Sequence, residues 1–463
     1  MPRLKSGPPA PPYSGKMKTH HRIILMLVTL ALAAAVYFFL PAACPEMARR
    51  AAAIFVFAAI FWAFEIIPLY VTSLWVVILE ILVLAQPPER AALGYLKPFA
   101  SPVIMLFLGS FLLSRAFQKH GLDHKIAILF LSFFGRKPYG VLLGFMSATA
   151  FLSMWMSNTA AAALMLAMII PLRSGLEKND PFRKALVLGI AFAAAFGGIA
   201  TPVGTPPNAI LFGLLAQRGI RIDFFQWVQA ALPLAVLVTL FSSVVLYRFF
   251  PPQKTTLDFN FASDGQLKKK QFAVLGIAFL TGVFWLTAGA TGIPEGVSAL
   301  ICGAALMGLR LLDSRDFRGI EWDILVLMWG GLALGDGMEA SGLAHWLVGL
   351  PLFSHQGLLL ALIFLVLTVF LSTFMSNTAA VNLIVPLVFS FGGPQAVMLA
   401  ILVTMASSFD FPLPMSTPPM AMAYGTGELK VREMLRVGAV ITVAANVLLM
   451  AGLSLFNHGV WVR

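Results

Sequence analysis

Polar positions are sparse along this chain, and they interrupt apolar runs more often than they alternate with them. Runs of a length that crosses a hydrocarbon core, about 20 residues, are expected at about 22–41, 49–67, 70–86, 100–118, 226–250, 272–291, 294–312, 323–340 and 435–457. Two long regions depart from that pattern. From Tyr139 to Leu172 there is no charge, and Ser157-Asn158-Thr159 divides the stretch into two pieces, each too short to cross. A helix from Ala185 then breaks at 197–208, through Gly204-Thr205-Pro206-Pro207-Asn208, and resumes to about Gln217. The second half repeats the plan with Ser376-Asn377-Thr378 and then Ser416-Thr417-Pro418-Pro419. Gly342-Leu343-Ala344-His345-Trp346 answers Gly121-Leu122-Asp123-His124-Lys125, which opens a stretch to Phe134 that reads as a helix lying on the membrane surface.

The repeated tripeptide carries a physical message. Ser, Asn and Thr cap helix N-termini because their side-chain oxygens accept first-turn N–H groups. The spacing predicts helices from Asn158 to Ile170, ending at Pro171, and from Asn377 to Val385, ending at Pro386. Thr205 is a good cap with Pro206 at the first helical position, where a missing N–H costs nothing. Helix ends at membrane depth are tolerated only inside protein or against a polar cavity. The pattern thus predicts two re-entrant hairpins and two broken helices in repeats of opposite orientation, the arrangement that marks a transporter's binding site.

Composition fits an all-α polytopic membrane protein: 463 residues, 59% hydrophobic, 11% charged, mean hydropathy +0.88, against about 25% charged in a soluble domain. A cleavable signal peptide is the rival reading of the first run, which is followed by Pro41-Ala42-Ala43-Cys44; the long preceding segment and the missing lipobox leucine favour a retained helix. The net charge of +12 is topological and is no nucleic-acid footprint. Of 32 Lys and Arg residues, 25 fall on loops of the N-terminal side, which places the N-terminus in the cytoplasm and the chain in the plasma (inner) membrane. Residues 1–21 read as a disordered tail, 22–138 and 272–354 as scaffold helices with surface linkers, 251–271 as a cytoplasmic loop, and 139–250 and 355–463 as the site-forming parts. Cys44 and Cys302 read as packing residues, and Glu65 and Glu80 as interfacial or scaffold-paired carboxylates.

Helix N-termini present free N–H groups and about half a positive charge each, so four of them favour a multivalent anion. The stretches 139–172, 185–217, 356–396 and 397–427 contain no Lys or Arg. A co-bound cation is then needed, and hydroxyl and carbonyl oxygens at Ser153, Ser157, Ser372 and Ser376 suit sodium. Ser153 and Ser157, like Ser372 and Ser376, are one helical turn apart. Asp410, seven residues before Thr417, would repel an anion; it pairs a cation, a proton or backbone N–H groups.

The paired Ser-Asn-Thr and Thr-Pro-Pro motifs resemble the divalent anion/sodium symporter family, the INDY-type sodium/dicarboxylate and sulfate symporters, over nearly the whole chain from Arg22. That resemblance implies eleven spans, a homodimer, and a transport domain that slides elevator-fashion against a scaffold. It implies one sodium at Ser153, Ser157, Asn158 and Gly204, and a second at Ser372, Ser376, Asn377 and Ser416. It implies anion contacts at Asn158, Thr159, Asn377, Thr378, Thr417 and Pro418. Met420 departs from it, since similar proteins often have Asn there. The expected substrate is a C4-dicarboxylate such as succinate, malate or fumarate, in symport with sodium; a sodium-independent exchanger and a sulfate transporter remain open. An intramembrane enzyme is disfavoured: there is no GxSxG or HExxH, and the seven His residues fall in the tail, loops or span ends.

Overall fold

A computed structural model describes residues 19–41, 43–85, 88–257, 266–349 and 357–456. Among the described residues it is helical throughout, with no strand. The helices are α1 Thr19–Phe39, α2 Glu46–Ala63, α3 Leu69–Val83, α4 Pro88–Leu96, α5 Pro102–His120, α6 Leu122–Phe133, α7 Pro138–Ser153, α8 Asn158–Ser174, α9 Phe182–Ile199, α10 Pro206–Gln217 and α11 Phe224–Phe249. There follow α12 Lys269–Leu286, α13 Ala288–Thr291, α14 Glu295–Gly308, α15 Ser314–Arg318, α16 Trp322–Ala340, α17 Leu343–Val348, α18 Leu358–Phe374, α19 Asn377–Phe389, α20 Gly393–Ala406, α21 Pro418–Gly425 and α22 Val431–Phe456.

The order α5 to α11 is repeated by α16 to α22, and the packing is reciprocal. α3 lies on α16 while α14 lies on α5; α10 lies on α19 while α21 lies on α8; α9 meets α21 as α20 meets α10. Each half therefore completes the other, which is what two related halves facing one another produce. In the membrane such contacts rest on close backbone approach: a Cβ on Gly109 of α5 would overlap Ala299 of α14, and one on Gly296 of α14 would overlap Pro102. At the centre is α9, where every residue from Ala185 to Ile199 is buried; a helix apolar all round belongs in an interior. It packs against α7, α8, α11 and α21. Both hairpins form, α7 on α8 and α18 on α19.

The basic loops converge. Lys119 reaches Asp313 at 3.1 Å and Asp316 at 2.5 Å, Gln271 donates to the His120 carbonyl at 2.8 Å, and Lys254 donates to that of Gly175 at 2.9 Å. Glu428 takes Arg173 and Arg183 together, the latter at 2.6 Å, and Lys184 meets Glu433 at 2.6 Å. Loops separated by whole helices in sequence are thus brought together. The two guanidiniums hold the Glu428 carboxyl below its usual range, Arg183 foremost.

Several expectations need correction. Pro171 and Pro386 do not end their helices; α8 runs on to Ser174 and α19 to Phe389, because packed neighbours tolerate a proline that costs one internal hydrogen bond. Among the described residues, six helical stretches are at least 18 residues long and apolar enough to cross a membrane, and seven other apolar helices are shorter, so length alone does not recover eleven spans. α4 and α15 were not foreseen. Residues 19–21 of the expected tail belong to α1, and residues 1–18 lie outside the described residues, as do 258–265 of the loop, 350–356 beside the second surface helix and 457–463. Glu65 is exposed in the α2–α3 turn with φ +45°. Glu80 is buried with Oε2 unpaired, near Asp336 rather than a base.

Candidate functional site

The α7–α8 hairpin turns at 154–157, between α7 and α8. Ser157 caps α8, its hydroxyl oxygen accepting the Ala160 N–H at 3.4 Å. Ser153, the last residue of α7 and fully buried, shows hydroxyl contacts of 2.6 Å to Asn158 Oδ1 and 2.6 Å to the Ala194 carbonyl. The break between α9 and α10 closes on this point. A Cβ on Gly198 would overlap Asn158 Oδ1, and one on Gly204 would lie 2.9 Å from the Ser153 carbonyl oxygen. Thr201 donates to the Met154 carbonyl at 2.6 Å, tying the break to the hairpin tip. Ser153, Asn158 and Gly204 therefore form one cluster of oxygens and backbone, with Ser157 at its edge.

The loop itself is held by Asn208, whose buried amide donates to the carbonyls of Gly198, Ile199 and Thr201 at 3.2, 3.4 and 2.8 Å. Without those bonds each buried carbonyl would cost about 1–3 kcal/mol. Trp227 of α11 adds a bond to the Ile199 carbonyl at 2.9 Å.

In the second half Ser376 caps α19, accepting the Ala379 N–H at 3.2 Å, and Thr417 caps α21, accepting the Met420 N–H at 3.3 Å. Ser372, on α18, is fully buried and donates to the Val369 carbonyl at 3.3 Å. Beside Ser372 and Asn377 stands Asp410, also fully buried. Both Asp410 oxygens and Asn377 Oδ1 lack a partner in hydrogen-bonding geometry. Ser416 donates its hydroxyl to the Leu413 carbonyl at 2.9 Å, which leaves its oxygen lone pairs free.

Thr205 occupies the cap position of α10 but makes no side-chain capping bond. Ser153 and Ser157 do not share a helix face, since α7 ends between them; Ser372 and Ser376 likewise flank a turn. Thr159 and Pro418 are exposed, Thr378 half-buried and Thr417 buried, so the first turns of α8 and α21 open onto accessible space. A cavity of about 450 Å³ lined by Lys97, Ser101, Gln217 and Asp336 among others includes neither tripeptide, and the anion chemistry does not follow it.

One participant escaped the sequence pattern. Glu321, just before α16, accepts the Ser157 hydroxyl at 2.8 Å and leaves Oε2 buried and unpaired. It reads as a span-flanking charge in sequence, and only the packing of the halves carries it to the hairpin tip. His120 bonds the Leu311 carbonyl at 3.0 Å, and no group of three or more His, Cys, Asp or Glu able to hold a metal occurs among the described residues.

Comparisons with known proteins agree with this architecture. A family model described as the sodium:sulfate symporter transmembrane region matches residues 18–461. The sodium-dependent dicarboxylate transporter SdcS of Staphylococcus saprophyticus is 30% identical over 441 residues, covering 86% of this chain and 84% of that one. SdcS of Staphylococcus aureus (strain USA300) is 30% identical over 469 residues, covering 92% and 88%. The crystal structure of the Alcanivorax borkumensis YdaH transporter aligns with a TM-score of 0.59 over 96% of this chain and 99% of that chain, at 14% identity; this is a likeness of fold.

Proposed function

The chain belongs to the sodium:sulfate symporter family, and from that premise we propose that it is a secondary active transporter, coupling sodium to the movement of a divalent anion, with a C4-dicarboxylate such as succinate, malate or fumarate as substrate. The observation that carries the reading is the pair of capped helix N-termini at Ser157 and Ser376 in stretches without a basic side chain. A dianion there is balanced by helix ends and by sodium on neutral oxygens. Relatives named as sodium-dependent dicarboxylate transporters support the choice of ion and substrate; sulfate is the second reading, supported by the family's description.

In this proposal one sodium takes Ser153, Ser157, Asn158 and Gly204, and the other takes Ser372, Ser376, Asn377 and Ser416. The anion takes Asn158, Thr159, Asn377, Thr378, Thr417 and Pro418. Residues 139–250 and 355–463 form the moving domain of a homodimeric elevator with eleven spans, and the face of converging basic loops is cytoplasmic. Radiolabelled succinate uptake into proteoliposomes under an inward sodium gradient tests it. Uptake that needs sodium and is competed by malate and fumarate supports the proposal. Uptake indifferent to sodium but stimulated by internal dicarboxylate makes the protein an exchanger, and competition by sulfate alone makes sulfate the substrate.

A further inference from the structure

The break between α9 and α10 and that between α20 and α21 correspond residue for residue: Gly198 stands seven positions before Thr205, as Asp410 stands seven before Thr417. The correspondence holds in space as well. Gly198 abuts the Asn158 side chain, and Asp410 abuts that of Asn377. In the first half the glycine leaves room for Ser153 and Asn158 to meet at 2.6 Å. In the second half a carboxylate fills the corresponding space beside Ser372 and Asn377; the Ser372 hydroxyl also reaches the Val369 carbonyl at 3.3 Å, and Asn377 Oδ1 is left unpaired. Three buried oxygens, two of them sharing a charge, thus lack a partner in good hydrogen-bonding geometry.

A buried carboxylate with no partner is costly, and structures avoid it by pairing the charge or binding a cation. No Lys or Arg occurs in 356–396 or 397–427, so no basic side chain of these stretches can serve. Hard oxygen donors of this kind suit an alkali cation. We propose that Asp410 is a charged ligand of the cation held by the second half-site, so that this half-site is anionic where the first is neutral. The inference rests on the sodium-coupled reading and adds to it an unequal pair of cation sites, the second binding tightly without waiting for the anion. The first relies on neutral oxygens and gains most from the substrate's own charge.

The test is thermal unfolding of the purified full-length protein against NaCl, without dicarboxylate and with choline chloride holding ionic strength constant. Wild type is expected to stabilise with sodium, since a ligand bound only by the folded state raises the melting temperature. Asp410→Asn keeps the shape and removes the charge; Asp410→Gly restores the residue of the first half. Each is expected to need about tenfold more sodium for the same stabilisation. Variants that titrate like wild type overturn the assignment and make Asp410 a neutral acid. If neither variant is recovered folded, wild-type crystals soaked in thallous ion decide. An anomalous peak in contact with the Asp410 carboxylate supports the proposal, and its absence there while the ion occupies Ser153 and Asn158 overturns it. A wild-type protein with no response to sodium at any concentration tells instead against sodium coupling itself, and this assignment falls with it.

Discussion

In the first half the helix break is held from within: Asn208, three residues past Thr205, gathers the carbonyls of Gly198, Ile199 and Thr201. In the second half that position is Met420, fully buried and unable to bond them. The work passes to α22, where Thr442 accepts the Phe411 N–H at 3.0 Å and Asn446 donates to the Phe409 carbonyl at 3.4 Å. Aromatic packing fills the rest, Phe411 lying 4.9 and 5.2 Å from Phe192 and Phe196 of α9. Buried backbone at a broken helix must be satisfied, yet the partner can come from the loop or from a neighbouring helix. The first break is thus held mainly by its own asparagine, with Trp227 of α11 assisting at Ile199, while the second draws its partners from α22.

The largest effect that would break this comparison is on transport. Asn158→Ala and Asn377→Ala are each expected to lower sodium-driven succinate uptake by about 100-fold or more, the equivalent of about 2.7 kcal/mol, in protein that still elutes as a folded species. Near-normal uptake in either would remove that tripeptide from the site.

Stability separates the loops next. Asn208→Met, which gives the first loop the second's residue, removes the amide from the Gly198 and Thr201 carbonyls while Ile199 keeps Trp227, and should cost about 2–5 kcal/mol in denaturant unfolding. If it costs nothing, the loop is held by something other than its own asparagine. Thr442→Val is expected to cost about 1–2 kcal/mol by orphaning the Phe411 N–H, with little effect on the first half. A hydrogen-exchange measurement that finds 197–204 loosened as much as 409–416 would contradict their independence.

The smallest effect concerns the clamp that joins the halves. Glu428→Gln should destabilise by about 0.5–1 kcal/mol near neutral pH, through the loss of solvent-screened ion pairs to Arg173 and Arg183. Because folding lowers the Glu428 carboxyl, its contribution is complete above the unfolded value of 4.5 and is lost as pH falls through the folded one. Wild type and variant should therefore converge in melting temperature on acidification below about pH 4. Parallel curves would show that the clamp holds by shape rather than charge.

The pattern of polar interruptions alone revealed the two hairpins, the two breaks and their repetition, because capping residues inside apolar runs have few other readings. It also found Ser157 and Ser376 as caps, since capping depends only on residues three apart, whereas Thr205 makes no such bond. Prolines 171 and 386 misled, as their cost depends on neighbours that a linear pattern does not contain. Glu321 at Ser157, α22 holding the second break and the orphaned oxygens of Asp410 were decided by tertiary structure. Each depends on which helix lies against which, and contacts between residues 31 to 164 positions apart are not written in any local period.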